Sequence, residues 1–225
     1  MKTDDLMNLL ATGATPVPRH AGERRFALAL GLGLVGALAW VHLMYGVRSD
    51  LGEVWATSAF GVKLAMPLAV AVSGLAVVFR LAHPGARVRG WAWGLWLPVA
   101  LLWAWAMWVL AQAAPGTRAA LVLGETWRYC VFNVMATALP VGVALFWALR
   151  GLAPTRPMLT GAAAGWLAGA VGAVVYALHC PEMQAPFLAV WYVLGMAACA
   201  LLGALAGRRW LRWSGAPAGA AGGGG

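Results

Sequence analysis

Six apolar runs, each about 20 residues long, follow one another along the chain, and no other feature limits its fold so sharply. The hydrocarbon of a bilayer is about 30 Å thick and a helix rises about 1.5 Å per residue, so about 20 apolar residues make one crossing. The runs cover residues 26–47, 59–79, 91–113, 129–149, 158–178 and 183–206. Inside lipid every backbone polar group must be satisfied within its own segment, so each run reads as a helix. The expected fold class is all-α, a polytopic bundle of six transmembrane helices.

Charge explains the orientation such a bundle should take. The chain carries 10% charged residues, against about 25% in a soluble domain, and a formal net charge of +9. That balance invites a nucleic-acid reading, but the basic residues form no single patch. They sit in short clusters at the ends of the apolar runs, where insertion topology wants them. Direct contact with nucleic acid is therefore not expected; the lipid bilayer is the first partner. Placing the N-terminus in the cytoplasm puts twelve Lys and Arg residues inside and four outside, the latter being Arg48, Lys63, Arg118 and Arg128. Both termini are expected in the cytoplasm. Residues 1–22 include Asp4 and Asp5 and no apolar stretch, so a cleaved signal peptide is not expected.

The domain organisation follows. Residues 1–24 form a cytoplasmic N-terminal segment, 25–208 the six-helix domain, and 209–225 a cytoplasmic tail rich in Gly and Ala that is expected to be disordered. Gly161, Gly165 and Gly169 recur every four residues, which gives the fifth helix one nearly smooth face for close packing.

Two places could carry function. The first is the N-terminus. Thr3 suits a helix N-cap, and Asp4 and Asp5 then lie in the first turn, where the helix dipole favours anions. Leu6, Leu9 and Leu10 make an apolar face before Pro16 and Pro18 stop the helix. Two turns are too short to be stable alone, so this helix orders only against something. The membrane surface, the bundle itself and a groove on a partner protein all remain open.

The second place lies on the outer side. Cys130 starts the fourth run, and His179, Cys180, Glu182 and Met183 lie between the fifth and sixth. Two thiols and an imidazole suit a soft or borderline ion such as Cu, Zn or Cd, with Glu182 or Met183 completing the shell. The same thiols in an oxidising compartment suit a disulfide, and packed, inert residues are the third reading. No CxxC or HxxxH spacing selects among them. Cys199 lies deep in the sixth run and reads as a small buried residue. His42 lies near the outer end of the first run. Lys63 is placed to snorkel outward from the second, and Asn133 to bond across helices.

No enzyme is expected. No Ser/His/Asp set, carboxylate pair, phosphate loop or second intramembrane histidine accompanies these residues. The rival readings are a small metal-handling permease and a membrane thiol oxidoreductase. Both lack support, since no polar pathway and no second thiol pair is present.

The ordered motifs resemble the NrsF family, the DUF1109 group. They are Met1-Lys2-Thr3-Asp4-Asp5-Leu6, Gly46-Val47-Arg48-Ser49-Asp50-Leu51, Gly124-Glu125-Thr126-Trp127-Arg128-Tyr129-Cys130 and Tyr176-Ala177-Leu178-His179-Cys180-Pro181-Glu182. Lys63-Leu64-Ala65 and Leu152-Ala153-Pro154-Thr155-Arg156-Pro157 fall in order between them, and Trp191-Tyr192-Val193-Leu194-Gly195 follows. The resemblance implies a six-span inner-membrane anti-sigma factor of a Gram-negative bacterium, with no obligatory cofactor. Such a protein holds an extracytoplasmic-function (ECF) sigma factor of the SigF type and releases it under heavy-metal or oxidative stress. It implies sensing at Cys130 and Cys180, with His179 beside them, and sigma contact through Thr3, Asp4, Asp5, Leu6, Leu9 and Leu10. Thr126 and Tyr129 depart from the family pattern, and Cys199 is no part of it.

Overall fold

The computed structural model describes residues 3–5, 7, 20–83, 90, 92–152 and 154–211. Among them there is no strand. Six helices are long and apolar enough to cross a membrane, as the runs require. We number these α1 (Ala21–Tyr45), α2 (Ser58–Ala82), α3 (Ala92–Gln112), α4 (Trp127–Arg150), α5 (Pro157–Tyr176) and α6 (Ala185–Trp210). They run alternately up and down. One end of the bundle therefore carries the loops after α1, α3 and α5, and with them Cys130 and Cys180.

Small residues decide the packing. α5 is central and the most buried, and it touches α2, α4 and α6. Its glycine face meets an answering glycine face on α6. A Cβ at Gly161 would run into the Gly203 carbonyl, and one at Gly207 would lie 2.9 Å from Gly161 Cα. At Gly165 it would strike the Cys199 carbonyl and lie 3.0 Å from Ala200 Cα. In lipid no hydrophobic drive pulls helices together, so this close backbone approach is what holds the pair. α1 uses the same device on α4, where a Cβ at Gly33 would lie 2.7 Å from Val141 Cα and one at Gly36 would lie 2.9 Å from Pro140 Cβ. Gly165→Leu should therefore pry α5 from α6. Overpacking costs about 1–3 kcal/mol or more, to be read as a lower thermal midpoint in detergent and a smaller membrane-inserted yield.

The outside of the bundle is apolar, as lipid contact demands. α3 is the least buried helix. Trp93, Trp96, Trp103, Trp105 and Trp108 are all exposed on it, so the tryptophan-rich run is a lipid-facing surface. Cys199 is buried, as its setting among Ala, Leu and Met required.

The loop between α3 and α4 carries more order than a loop of its length promised. Pro115 opens a short turn, and Arg118–Leu123 forms a helix that stops at Gly124. Gly124 has φ +56°, a left-handed value that favours glycine. The Trp191 indole donates to the Val122 carbonyl at 2.9 Å and ties this helix to α6. Two wide-turn (π) segments among the described residues, Val41–Tyr45 and Leu188–Tyr192, also lie toward the cysteine end.

At the N-terminus, residues 3–5 and Met7 are helical and exposed. Leu6, Leu9 and Leu10 lie outside the described residues, as do residues 212–225 of the tail.

Candidate functional site

The cysteine end is organised around one turn of backbone. α5 finishes at Tyr176, whose carbonyl accepts from the amides of His179 and Cys180, each at 3.0 Å. Pro181 has no amide hydrogen and cannot extend the helix. The chain therefore leaves α5 with the Cys180 carbonyl turned into the bundle and in need of donors. Two cations supply them. Lys63 Nζ of α2 donates to it at 2.5 Å, and Arg48 Nη1 of the α1–α2 connection at 3.4 Å.

This corrects the expectation for Lys63. The side chain does not snorkel outward; it is 1% exposed and points into the bundle. A buried ammonium is costly unless it is bonded. Here the carbonyl left over by the α5 turn meets that need, and the ring of Tyr192 lies 5.9 Å from Nζ.

Cys130 sits in the first turn of α4, its amide bonded to the Thr126 carbonyl at 3.1 Å. Cys130 and Cys180 are both fully buried, are not joined in a disulfide, and lie in the same part of the bundle, within electrostatic range of each other. Tyr176 and Tyr192 complete the cluster, with ring centres 6.1 Å apart. Asn133 donates to the Tyr176 hydroxyl at 3.1 Å, the cross-helix bond its position suggested. The Tyr192 hydroxyl is buried with no hydrogen-bond partner. It belongs to the π segment of α6, and such bulges are frequent at functional sites.

Glu182 has a defined task. Its Oε1 accepts from the amides of Glu125 at 2.7 Å and Thr126 at 3.1 Å, and from the Thr126 hydroxyl at 3.3 Å. These amides open α4, so a carboxylate from the α5–α6 connection caps the helix that carries Cys130. Gly124 must be glycine for a second reason: a Cβ there would lie 2.6 Å from that carboxylate. Glu182→Ala should cost about 0.5–2 kcal/mol, seen as a lower thermal midpoint and faster amide exchange at residues 125–128.

His179 is engaged by the α1–α2 connection. Its Nδ1 lies 3.0 Å from the Gly46 carbonyl, and its ring packs on Tyr45 at 5.3 Å. Met183 is half-buried, and His42 is exposed on the outside of α1. Among the described residues no three of His, Cys, Asp and Glu gather as a metal-ligand group. The structure therefore buries the two thiols in one region and engages His179 with the α1–α2 connection and Glu182 with the start of α4.

Sequence reasoning passed over the Arg48–Asp50 pair. Arg48 Nε and Nη2 donate to the two oxygens of Asp50, each at 2.6 Å. That bonding holds the Asp50 carboxyl below the usual aspartate range and raises Arg48 above its own. The Arg48 amide also donates to the Leu178 carbonyl at 3.1 Å. The signal was present as an Arg-x-Asp directly after the first run. The 178–182 turn is thus pinned to α2 by Lys63, to the α1–α2 connection by Arg48, and to α4 by Glu182.

The family model described as Negative regulator of sigma F matches residues 10–213. The chain is 44% identical over 213 residues to the "Probable anti-sigma-F factor NrsF" of Azospira oryzae, a match that covers 95% of this chain and 100% of that relative. It is 42% identical over 216 residues to the "Anti-sigma-F factor NrsF" of Caulobacter vibrioides, again covering 95% and 100%. No solved structure matches it. A family match along nearly the whole chain, and relatives covered over their full length, place this six-helix protein in the NrsF family.

Proposed function

We propose that the chain is an inner-membrane anti-sigma factor. It holds an ECF sigma factor of the SigF type at the cytoplasmic face and releases it when Cys130 and Cys180 meet a metal or an oxidant. The names of the two relatives support the sigma partner. The excess of Lys and Arg at the opposite end of the bundle supports an outer, periplasmic position for the cysteines. The helical, exposed residues 3–5 support an N-terminal contact, made by Thr3, Asp4 and Asp5 with Leu6, Leu9 and Leu10.

The observation that carries the sensing step is the buried thiol pair, with Cys180 in a turn pinned to three neighbours and Cys130 in the first turn of α4, one of those neighbours. An oxidant takes two electrons and two protons from the thiols and leaves a Cys130–Cys180 disulfide. A soft ion bound by the two thiolates displaces two protons instead. Either product draws the α4 start and the 178–182 turn into a new arrangement. Lys63, Arg48 and Glu182 then lose their present partners, and α2 and α4 shift against α5. Changing the released fraction from 1% to 99% takes about 5.5 kcal/mol of preference. Metal–thiolate binding provides about 10–16 kcal/mol, so the signal is large enough. No catalytic residue is assigned, because nothing in this scheme turns over.

The test is an affinity pull-down of the detergent-solubilised protein from unstressed cells of its host, with and without residues 1–18. Retention of a sigma factor by the full chain and its loss from the truncation is the expected result. Absence of any sigma factor from both samples would overturn the reading and favour a permease.

A further inference from the structure

A groove of about 290 Å³ runs along the side of the bundle between α4, α5 and α6. Its walls are Leu139, Gly142 and Phe146 on α4 and Leu202, Ala206 and Trp210 on α6, with Ala168 of α5 as the floor. The groove exists because glycines draw α6 tightly onto α5 and leave only small side chains between the outer faces of α4 and α6. It is long: the α4 wall from Met135 to Phe146 spans about 16 Å by helical rise.

Charge tells what fills it. The α4 wall residues at 142 and 146 continue at helical spacing to Arg150, and the α6 residues at 202 and 206 continue to Arg209. Both arginines are exposed, at the end of the bundle away from the cysteines. The Arg150 guanidinium lies 5.7 Å from the ring of Trp210, which puts it at the mouth of the groove. No carboxylate pairs with either arginine among the described residues. An apolar slot that ends in two unpaired cations complements a chain of methylenes that ends in a phosphate. Guanidinium groups are well suited to such an anion, because their donors match phosphate oxygens two at a time.

We propose that this groove binds one anionic phospholipid, with an acyl chain between α4 and α6 and the phosphate at Arg150 and Arg209. The site is independent of the thiol cluster and of any sigma factor. A lipid wedged between α4 and α6 braces the outer faces of two helices whose other ends carry Cys130 and the π segment, so its occupancy bears on how freely the bundle rearranges.

Native mass spectrometry of the detergent-purified, delipidated full chain tests this, with dioleoyl phosphatidylglycerol and dioleoyl phosphatidylcholine as probes. Wild type should retain one phosphatidylglycerol with a preference of about thirtyfold over phosphatidylcholine, the effect of two cations near a lipid surface. Arg150→Gln with Arg209→Gln, both at exposed positions, should bring that preference close to one while leaving phosphatidylcholine binding unchanged. Ala206→Leu should lower retention of both lipids by occupying the groove. Equal retention of the two lipids by wild type would overturn the proposal, as would a phosphatidylglycerol preference untouched by the double arginine variant. A dimer that excludes lipid would also overturn it and assign the groove to a second copy of the chain.

Discussion

Replacing Cys130 or Cys180 by serine should leave the protein folded and the sigma factor bound, yet remove induction of the sigma-dependent genes by metal or oxidant. The expected loss is the whole inducible response, read with a transcriptional reporter in stressed and unstressed cells. Each single change is enough, because a disulfide needs both sulfurs and so does an ion held by two thiolates. The exchange is mild for the fold. Serine is close in size to cysteine, and neither thiol in the resting structure is bonded to another sulfur. Tyr176 and the turn at Pro181 remain to hold the backbone. Cys199→Ser, in the α5–α6 contact and away from that pair, should leave induction unchanged and serves as the internal comparison. Full induction in both Cys130→Ser and Cys180→Ser would remove the sensing step from the account.

Lys63→Met should do the reverse and raise sigma activity without stress. The methionine fills much of the same space but donates nothing. The buried Cys180 carbonyl then keeps only the longer bond from Arg48, at 3.4 Å. A buried acceptor that loses its partner costs about 1–3 kcal/mol. If that cost falls on the resting arrangement alone, the balance between resting and released states moves by about fivefold to more than a hundredfold. The readout is reporter activity in unstressed cells, normalised to the amount of protein in the membrane. Equal membrane abundance separates a shifted balance from a failure to fold. Wild-type basal activity at equal abundance would mean that the Lys63 contact does not hold the resting state.

Much of the architecture was legible because the bilayer is a strict solvent. Six apolar runs became six helices, and the Gly161, Gly165 and Gly169 spacing became the tight face of α5. The answering residues, Gly203 and Gly207 on α6, carry the same four-residue signature but only matter once the two helices are known to be neighbours. The site was legible in part. Cys130 and Cys180 are both buried at the end of the bundle they were expected to share. His179 and Glu182 do not join them, and the reason is local: both sit in a turn whose backbone groups and neighbours claim them first. The α5–α6 turn places His179 beside the Gly46 carbonyl of the α1–α2 connection, and Glu182 beside the opening amides of α4. Lys63 was misread because sequence position gives depth in the membrane but not the face of the helix. A long amine near a helix end usually reaches for water. Here an inward-facing carbonyl, created by the turn before Pro181, offers a nearer partner. Such pairings depend on long-range geometry, and no periodicity in one segment reports them.

The most direct test of the central claim uses the purified complex of this protein with its sigma factor, treated stepwise with cadmium ion or with a thiol oxidant. Bound sigma factor and the free thiols of Cys130 and Cys180 are measured in the same samples by mass spectrometry. The account predicts that sigma factor leaves in proportion to the loss of those two thiols, with Cys199 still free. Thiols consumed while the sigma factor stays bound, or sigma factor released while both thiols remain free, would contradict it.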